Sequence, residues 1–473
     1  MKKQHFHFLG ICGTAMASCA AMLKAMGHKV TGSDNNIYPP MSSFLEKNKI
    51  TVQKPFKPDN LLKKPDIVVV GNAISRGNAE LEAVLNRGLK YKSMPEILKE
   101  FIITNKISVV CSGTHGKTTT TTLAAWVFKK SGLRPSFIIG GIPKNFKAGF
   151  GIDGGRHFII EGDEYDTAYF DKRSKFMHYL PKFLIINNIE FDHADIFKNL
   201  NEILLSFRRV INTVPNKGMV IANGDDKNVK TLLDFARSIT RVETFGIGSH
   251  NTWIGHAVAP VHGKTGFSVS FKNHFFGRFT IPLIGLHNVY NALAVIAVAH
   301  SNGIPSNKIE VSLKTFRGIK KRMELTGKVN DISVYDDFAH HPTAVAAVLD
   351  SVKKNYKYNR LWAVFEPRSN STRRNIFQKE LSQALCLADK VIIAPVNGAQ
   401  NIPDQERFNI KSAICFLKEN GVPARTFPSV ENIADYAAEH SKPGDIIICM
   451  SNGSFENIHN RILRKIKGET ISK

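Results

Sequence analysis

Cysteine is scarce: the chain has six in 473 residues, none in a CxxC pair, which argues against a disulfide framework and against a zinc site. Long hydrophobic runs are missing too. Apolar stretches such as Ile67–Val70 and Phe183–Ile186 are strand-sized, and none approaches the ~20 residues of a membrane-spanning helix. Blocks of a single charge are also absent. Lys and Arg outnumber Asp and Glu by 64 to 40, for a formal charge of +24, yet no five basic residues stand in a row. A scattered excess fits general attraction to anionic substrates better than a nucleic-acid groove, so no nucleic-acid or membrane partner is expected. The opening MKKQHFHFLG has two lysines, but the ICGTAMASCAAMLKAM that follows is broken by glycine and lysine. Export is therefore not expected, and the cytoplasm is the predicted compartment.

What is present is the texture of a folded chain, 43% hydrophobic and 22% charged. At roughly 150 residues per domain, the length suggests about three domains. Three times the sequence alternates short apolar strands with helical stretches, the mark of parallel βαβ units. The first block, from His5 to about Phe101, contains HFHFLG, AMASCAAMLKAM, KVTGSD and DIVVVGNA. The second opens with ISVVCSG at Ile107 and continues through HFIIEGD, KFLIINNIEFDH and GMVIANGDD. Between about Asn251 and Pro282, alternating Gly, Phe, Ser and Thr predict antiparallel hairpins, followed by the helix-like LHNVYNALAVIAVAH. The third block, from near Arg322, carries DISVYDDFAHHP, RLWAVFEP, DKVIIAPV and DIIICMSNGSF. The predicted class is α/β in three domains: a Rossmann-like one over 1–105, a central phosphate-loop domain over 106–320, and a second Rossmann-like one over 321–473.

Ser112-Gly113-Thr114-His115-Gly116-Lys117-Thr118 follows the strand ISVVC and precedes the helical TTTTTLAAWVFKK. Strand, glycine turn and helix N-terminus are what a phosphate loop needs, since the glycines let backbone N–H groups approach an anion. Lys117 can reach β- and γ-phosphates, and the Thr118 hydroxyl can ligate the accompanying metal. A chance Gly-Lys-Thr turn is the alternative, but it leaves the flanking strand and helix unexplained. Three residues separate Gly113 from Lys117, fewer than in the commonest phosphate loops, which points away from common GTPases and helicases. In the first block Gly10 and Gly13 follow a strand, and Asp34 ends the next one, a Rossmann-like layout. The full GxGxxG is absent, so a nicotinamide dehydrogenase is only a distant alternative.

With GTHGKTTT stand four further motifs in order: Asn187–His193 (NNIEFDH), Gly285–Ala292 (GLHNVYNA), Arg322-Met323-Glu324 and Asp336–Pro342 (DDFAHHP). This ordered set, spanning essentially the whole chain, resembles the Mur ligases, ATP-dependent amide-bond-forming enzymes of peptidoglycan assembly. The resemblance implies ATP and Mg²⁺, with Mn²⁺ able to substitute, and an acyl-phosphate intermediate. It assigns Ser112 to Thr118, His287, Asn291, Arg322 and Asp336 to ATP, with Lys117 and His193 catalytic. It makes Thr118, Glu161 and His193 metal ligands, with Glu164 and Asp163 as carboxylates that could substitute for Glu161. Chemistry alone rates His193 a poor Mg²⁺ ligand. Gly10, Gly13, Thr14, Asp34 and Asn72 would bind a UDP-sugar.

Within the family, GSDNNIYPPMS at Gly32, the Glu161–Phe176 segment and FEPRSNS at Phe365 resemble the recycling branch. That branch joins the tripeptide L-alanyl-γ-D-glutamyl-meso-diaminopimelate to UDP-N-acetylmuramate. The competing branch adds L-alanine, tends to carry Gln-Pro-His-Arg-Tyr in place of Glu366–Asn370, and lacks the extra residues around Asp171–Phe176. Arg368, Arg373 and His341 are then expected to hold the acceptor peptide. Lys172, Arg173 and Lys175 add cations beside it, unless they form a solvated basic loop.

Overall fold

Parallel strands require crossover connections, and the alternation of strands with helices provides them. The computed structural model describes residues 2–39, 41–261, 263–400 and 402–469 and contains three principal sheets, one per block. The first has five parallel strands in the order Thr51–Gln53, Lys29–Ser33, His5–Leu9, Ile67–Val70, Tyr91–Ser93. The central strand feeds Gly10–Gly13 and the helix Thr14–Ala25.

In the ten-stranded central sheet, Ile107–Ser112 lies between His157–Gly162 and Phe183–Ile186, all parallel. Its strands are apolar on both faces because helices cover both, Lys117–Lys130 and Leu286–Ser301 packing together on one of them. The predicted hairpins form as Trp253–Val261, Lys264–Phe271 and His274–Ile281, which extend one edge antiparallel. The third sheet runs Glu324–Val329, Ile332–Asp337, Ile446–Met450, Leu361–Phe365, Lys390–Ile393, Ala424–Thr426, parallel apart from its first strand. Asp337 and Phe365 both pair with Met450, so three strand ends deliver Asp337, Glu366 and Ser451 to one edge.

The apolar core distinguishes the joints between domains. One continuous cluster joins Phe6, Phe8 and Met22 of the first domain to Val110, Phe158, Phe176 and Phe207 of the second. The third domain has its own two clusters, to which the preceding segment contributes Ile284. Among the described residues no helix is long and apolar enough to cross a membrane.

Candidate active site

The phosphate-loop segment leaves its strand end with Gly113 at φ +132° and Gly116 at φ +80°. Gly116 is required twice over: its backbone is left-handed, and a Cβ there would sit 2.5 Å from Asn291 Oδ1. The neighbouring loop braces this turn. Thr114 N–H donates to the Asn188 carbonyl at 3.1 Å, and His115 N–H donates to Asn188 Oδ1 at 2.7 Å. Ser112 donates its hydroxyl to the Ile185 carbonyl at 2.6 Å, so it ties two strands together. Lys117 Nζ donates to the Gly113 carbonyl at 2.7 Å and pairs with Glu164 at 3.1 Å. Burial opposes the Lys117 charge, but Glu164 and Asp163 hold the ammonium above its usual range.

Two carboxylates divide the work below the loop. Glu161 Oε2 accepts from Thr118 Oγ1 at 2.9 Å, and its Oε1 accepts from Gly140 N–H at 2.5 Å. Burial and the neighbouring Asp163 push its carboxyl up. Glu164 is almost fully buried and faces both Lys117 and His193, the latter at 3.5 Å. His193 thus stands nearer the reserve carboxylate, Glu164, and has left-handed backbone (φ +53°), a strained conformation of the kind found at functional sites. Thr118, Glu161, Asp163 and Glu164 are oxygen donors, the set that a hard divalent cation selects.

Around the loop lie groups from the other side. Asn291 accepts from Thr120 Oγ1 at 3.0 Å and is buried, a strut on the loop helix. Burial and Arg322 bring His287 down to about 4, so its ring is neutral at pH 7. Arg322 stacks on Phe338 at 4.7 Å. Two carboxylates act on its charge, Asp337 first and Glu161 second, and Asp337 also accepts the Met323 and Ala339 N–H groups at 2.6 and 2.7 Å. Asp336 points the other way. Its neighbour Val334 packs in the cluster of the C-terminal helix, while Tyr335 packs in the opposite one, and Asp336 Oδ2 faces His459 at 3.7 Å. The register therefore sets Asp337, not Asp336, with Arg322.

The third domain meets the loop through polar contacts. His115 Nε2 lies 2.9 Å from Glu190 Oε2, which lies 3.4 Å from His341 Nδ1. His341 Nε2 reaches the Phe191 carbonyl at 3.2 Å, and its ring also caps the helix Pro342–Asn355. Ser371 donates to Asp192 at 2.8 Å and Asn370 to Asp195 at 2.9 Å. Burial pushes Asp192 up, but His193, His340 and His341 bring it down to about 2. Arg368 is half exposed beside Glu366 at 3.3 Å and packs against the Gly453 backbone. Arg373 donates to Asn370 Oδ1 at 2.6 Å and to the Gly398 carbonyl, within its own domain.

In the first domain Gly10 has φ +81°, Gly13 caps the helix, and Thr14 and Asn72 are exposed at the strand ends. Asp34 is committed to backbone: it accepts from Cys12 and Asn36 N–H groups, both at 2.9 Å, clamping two loops.

Family models match all three regions: "Mur ligase family, catalytic domain" over 5–106, "Mur ligase middle domain" over 111–299, and "Mur ligase, glutamate ligase domain" over 321–453. The UDP-N-acetylmuramate–L-alanyl-γ-D-glutamyl-meso-2,6-diaminoheptandioate ligase of Haemophilus influenzae is 39% identical, the match covering 98% of this chain and 99% of that protein. The chain belongs to the Mur ligase family. Like other Mur ligases it is an ATP-dependent, ADP-forming enzyme. The UDP-N-acetylmuramate–L-alanine ligase of Acetivibrio thermocellus is 33% identical over 98% of this chain and 96% of its own. A murein peptide ligase structure from Psychrobacter arcticus superimposes with a TM-score of 0.74 at 37% identity, covering 99% of this chain and 100% of that one.

Several residues of this Mur ligase's site escaped sequence reasoning. Glu190 sits within the NNIEFDH motif, yet only folding sets it between His115 and His341. Asp337 adjoins the residue chosen, and alternation along the strand decides between them. Asn188 has no local signal beyond its place at a strand end.

Proposed function

We propose that this Mur ligase joins UDP-N-acetylmuramate to the tripeptide L-alanyl-γ-D-glutamyl-meso-diaminopimelate while cleaving ATP to ADP and phosphate. One observation carries the reading: Lys117 of the phosphate loop shares Glu164 with His193, beside Thr118 and Glu161, and the third domain docks next to them through Ser371 on Asp192. The acceptor is supported by the identity to the tripeptide-adding relative, 39% against 33% for the alanine-adding one. ATP and a UDP-sugar as substrates support a cytoplasmic site of action.

A carboxylate oxygen of the donor attacks the γ-phosphorus, and the bond to the β–γ bridging oxygen breaks, with ADP leaving with that electron pair. The peptide amine then attacks the acyl carbon. The carbon–oxygen bond to phosphate breaks, phosphate departs with the pair, and the nitrogen gives up a proton. Lys117 and the loop N–H groups neutralise the phosphoryl oxygens, where such charge stabilisation dominates catalysis. Thr118, Glu161 and His193, with Glu164 beside them, are the residues that would hold Mg²⁺, which when bound supplies further neutralisation. His287, Asn291 and Arg322 serve the nucleotide. Asp337, with Arg322, is better placed than Asp336 for that role. Gly10, Gly13, Thr14 and Asn72 serve the UDP-sugar, with Asp34 holding their loop. Arg368, Arg373 and His341 serve the acceptor.

The test is ADP release at saturating ATP and UDP-N-acetylmuramate with either acceptor. The tripeptide should exceed L-alanine in kcat/KM by at least ~100-fold, the worth of about two charge-assisted contacts. Equal use of L-alanine would make this the alanine-adding enzyme. Mn²⁺ should replace Mg²⁺ well, because imidazole suits it better. His193→Ala should raise the metal concentration needed for half-maximal rate, and an unchanged titration would return His193 to a structural role.

A further inference from the structure

The three cations of the 172–175 segment part company in the fold. Lys172 pairs with Asp166 at 2.7 Å and Arg173 with Asp171 at 2.8 Å, with 71% and 64% of their side chains exposed. Such surface pairs contribute little. Lys175 is different, with only 12% of its side chain exposed. Its N–H bonds to the Tyr165 carbonyl at 3.1 Å and the Phe176 N–H to the Asp163 carbonyl at 3.2 Å, while Phe176 anchors in the core. The ammonium therefore turns inward. Nζ lies 4.0 Å from the centroid of the Tyr165 ring and 3.7 Å from Asp163 Oδ2, beyond hydrogen-bond range. A largely buried ammonium held by a ring face and a carboxylate at 3.7 Å has donors to spare for an anion. Burial pushes it down, and Asp163 offsets this only in part.

Its surroundings say which anion would complete it. Tyr165 packs against His193 with ring centroids 4.9 Å apart and planes tilted by 48°, and the Asp163 charge also acts on Lys117. Lys175 thus adjoins the phosphoryl site. The hairpin that precedes it, Asp166–Ala168 with Asp171–Ser174, leans on the first domain, where Phe170 meets Tyr91 at 5.0 Å. The third domain makes its contacts elsewhere, through Ser371 and Asn370 to Asp192 and Asp195. A donor held by its nucleotide on the first domain, with its carboxylate beside Lys117, must pass this junction. An acceptor brought by the third domain need not.

We propose that Lys175 binds the carboxylate of the acyl donor and holds it against the phosphoryl group to be transferred, an inference that rests on the ligase reading above. The discriminating probe is UDP-N-acetylglucosamine, the same kind of sugar nucleotide without the lactyl carboxylate. By calorimetry the unmodified protein should bind UDP-N-acetylmuramate at least ~10-fold more tightly than UDP-N-acetylglucosamine. Lys175→Met should erase that ratio while leaving UDP-N-acetylglucosamine affinity unchanged, and Lys175→Arg should restore much of it. In steady state Lys175→Met should raise KM for the donor and leave KM for ATP and tripeptide within about twofold. If Lys175→Met proves unfolded by its thermal transition, Lys175→Gln reads the same ratio. A preserved ratio, or a loss falling on the tripeptide KM, would overturn the inference. Absence of ADP release by the unmodified protein would instead overturn the ligase reading, since the binding ratio is measured without turnover.

Discussion

Lys117 and Glu164 are a buried charge pair whose partner in turnover would be phosphate, so phosphate and Glu164 compete for one ammonium. Lys117→Ala should lower ADP release on the order of 10³-fold or more, because neutralisation at the transferred phosphoryl dominates such reactions. UDP-sugar binding should survive if the proposed site on the first domain holds it; near-normal turnover by the folded variant would remove Lys117 from the mechanism. Asp336 offers a separate test by pH. Burial raises its carboxyl from the ordinary 3.8 to about 6, with Lys321 opposing. A carboxyl that binds its proton more tightly when folded stabilises the protein relatively at low pH and loses that advantage as pH rises from about 4 to about 6. The shift corresponds to roughly 3 kcal/mol at most. Asp336→Asn, which cannot ionise, should therefore gain stability relative to the unmodified protein between pH 4 and 7 in urea titrations of the unliganded protein. A constant difference across that range would contradict the buried placement of Asp336.

At the scale of elements, the loop and the helix Leu286–Ser301 are fitted to each other through Gly116 and Asn291. Gly116→Ala meets both a left-handed backbone and the side-chain oxygen Oδ1 of Asn291, at a cost of about 1–3 kcal/mol from the backbone alone. We expect weakened ATP binding and a lowered Tm. Asn291→Ala in the same chain should relieve the contact but not the backbone strain, so a double-mutant cycle should return a non-zero coupling of about 0.5 kcal/mol or more. Strict additivity would mean that the helix does not press on the loop. Register acts at this scale too: a one-residue slip of Ile332–Asp337 would exchange Asp336 and Asp337 between the two faces.

For the whole molecule, the two joints differ in kind. The first and central domains share an apolar cluster, whose separation would expose buried phenylalanines and methionine. The third adds polar contacts such as Ser371 to Asp192 and Asn370 to Asp195, which water can replace, beside a smaller apolar contribution from Ile284 and Phe191 against Phe377. Closure and opening of the third domain are therefore the motions the fold permits at low cost. Ser371→Ala removes a hydrogen bond to a buried carboxylate, worth about 1.5–3 kcal/mol. We expect it to favour the open form and raise the apparent KM for ATP by about tenfold, with UDP-sugar affinity unchanged. A shift in UDP-sugar affinity of the same size would show that all three domains move together.

Much of this was legible along the chain because it is local. Strand, glycine turn and helix around Lys117 are contiguous, and the periodic blocks predicted the α/β class, the central hairpins and the helix at Leu286 where they occur. The ordered motifs identified the family. Choices among neighbours were not legible. Glu161 and Glu164 both follow one strand, and only folding sets the first on Thr118 and the second between Lys117 and His193. Asp336 and Asp337 differ by a single step of pleat, invisible without knowing which face meets Arg322. Lys172, Arg173 and Lys175 read as one basic run, yet the turn at Phe176 buries the last alone. Spacing determines what a segment can form. Which side chain of a pair faces the site depends on what packs against it, and those partners come from hundreds of residues away or from another domain.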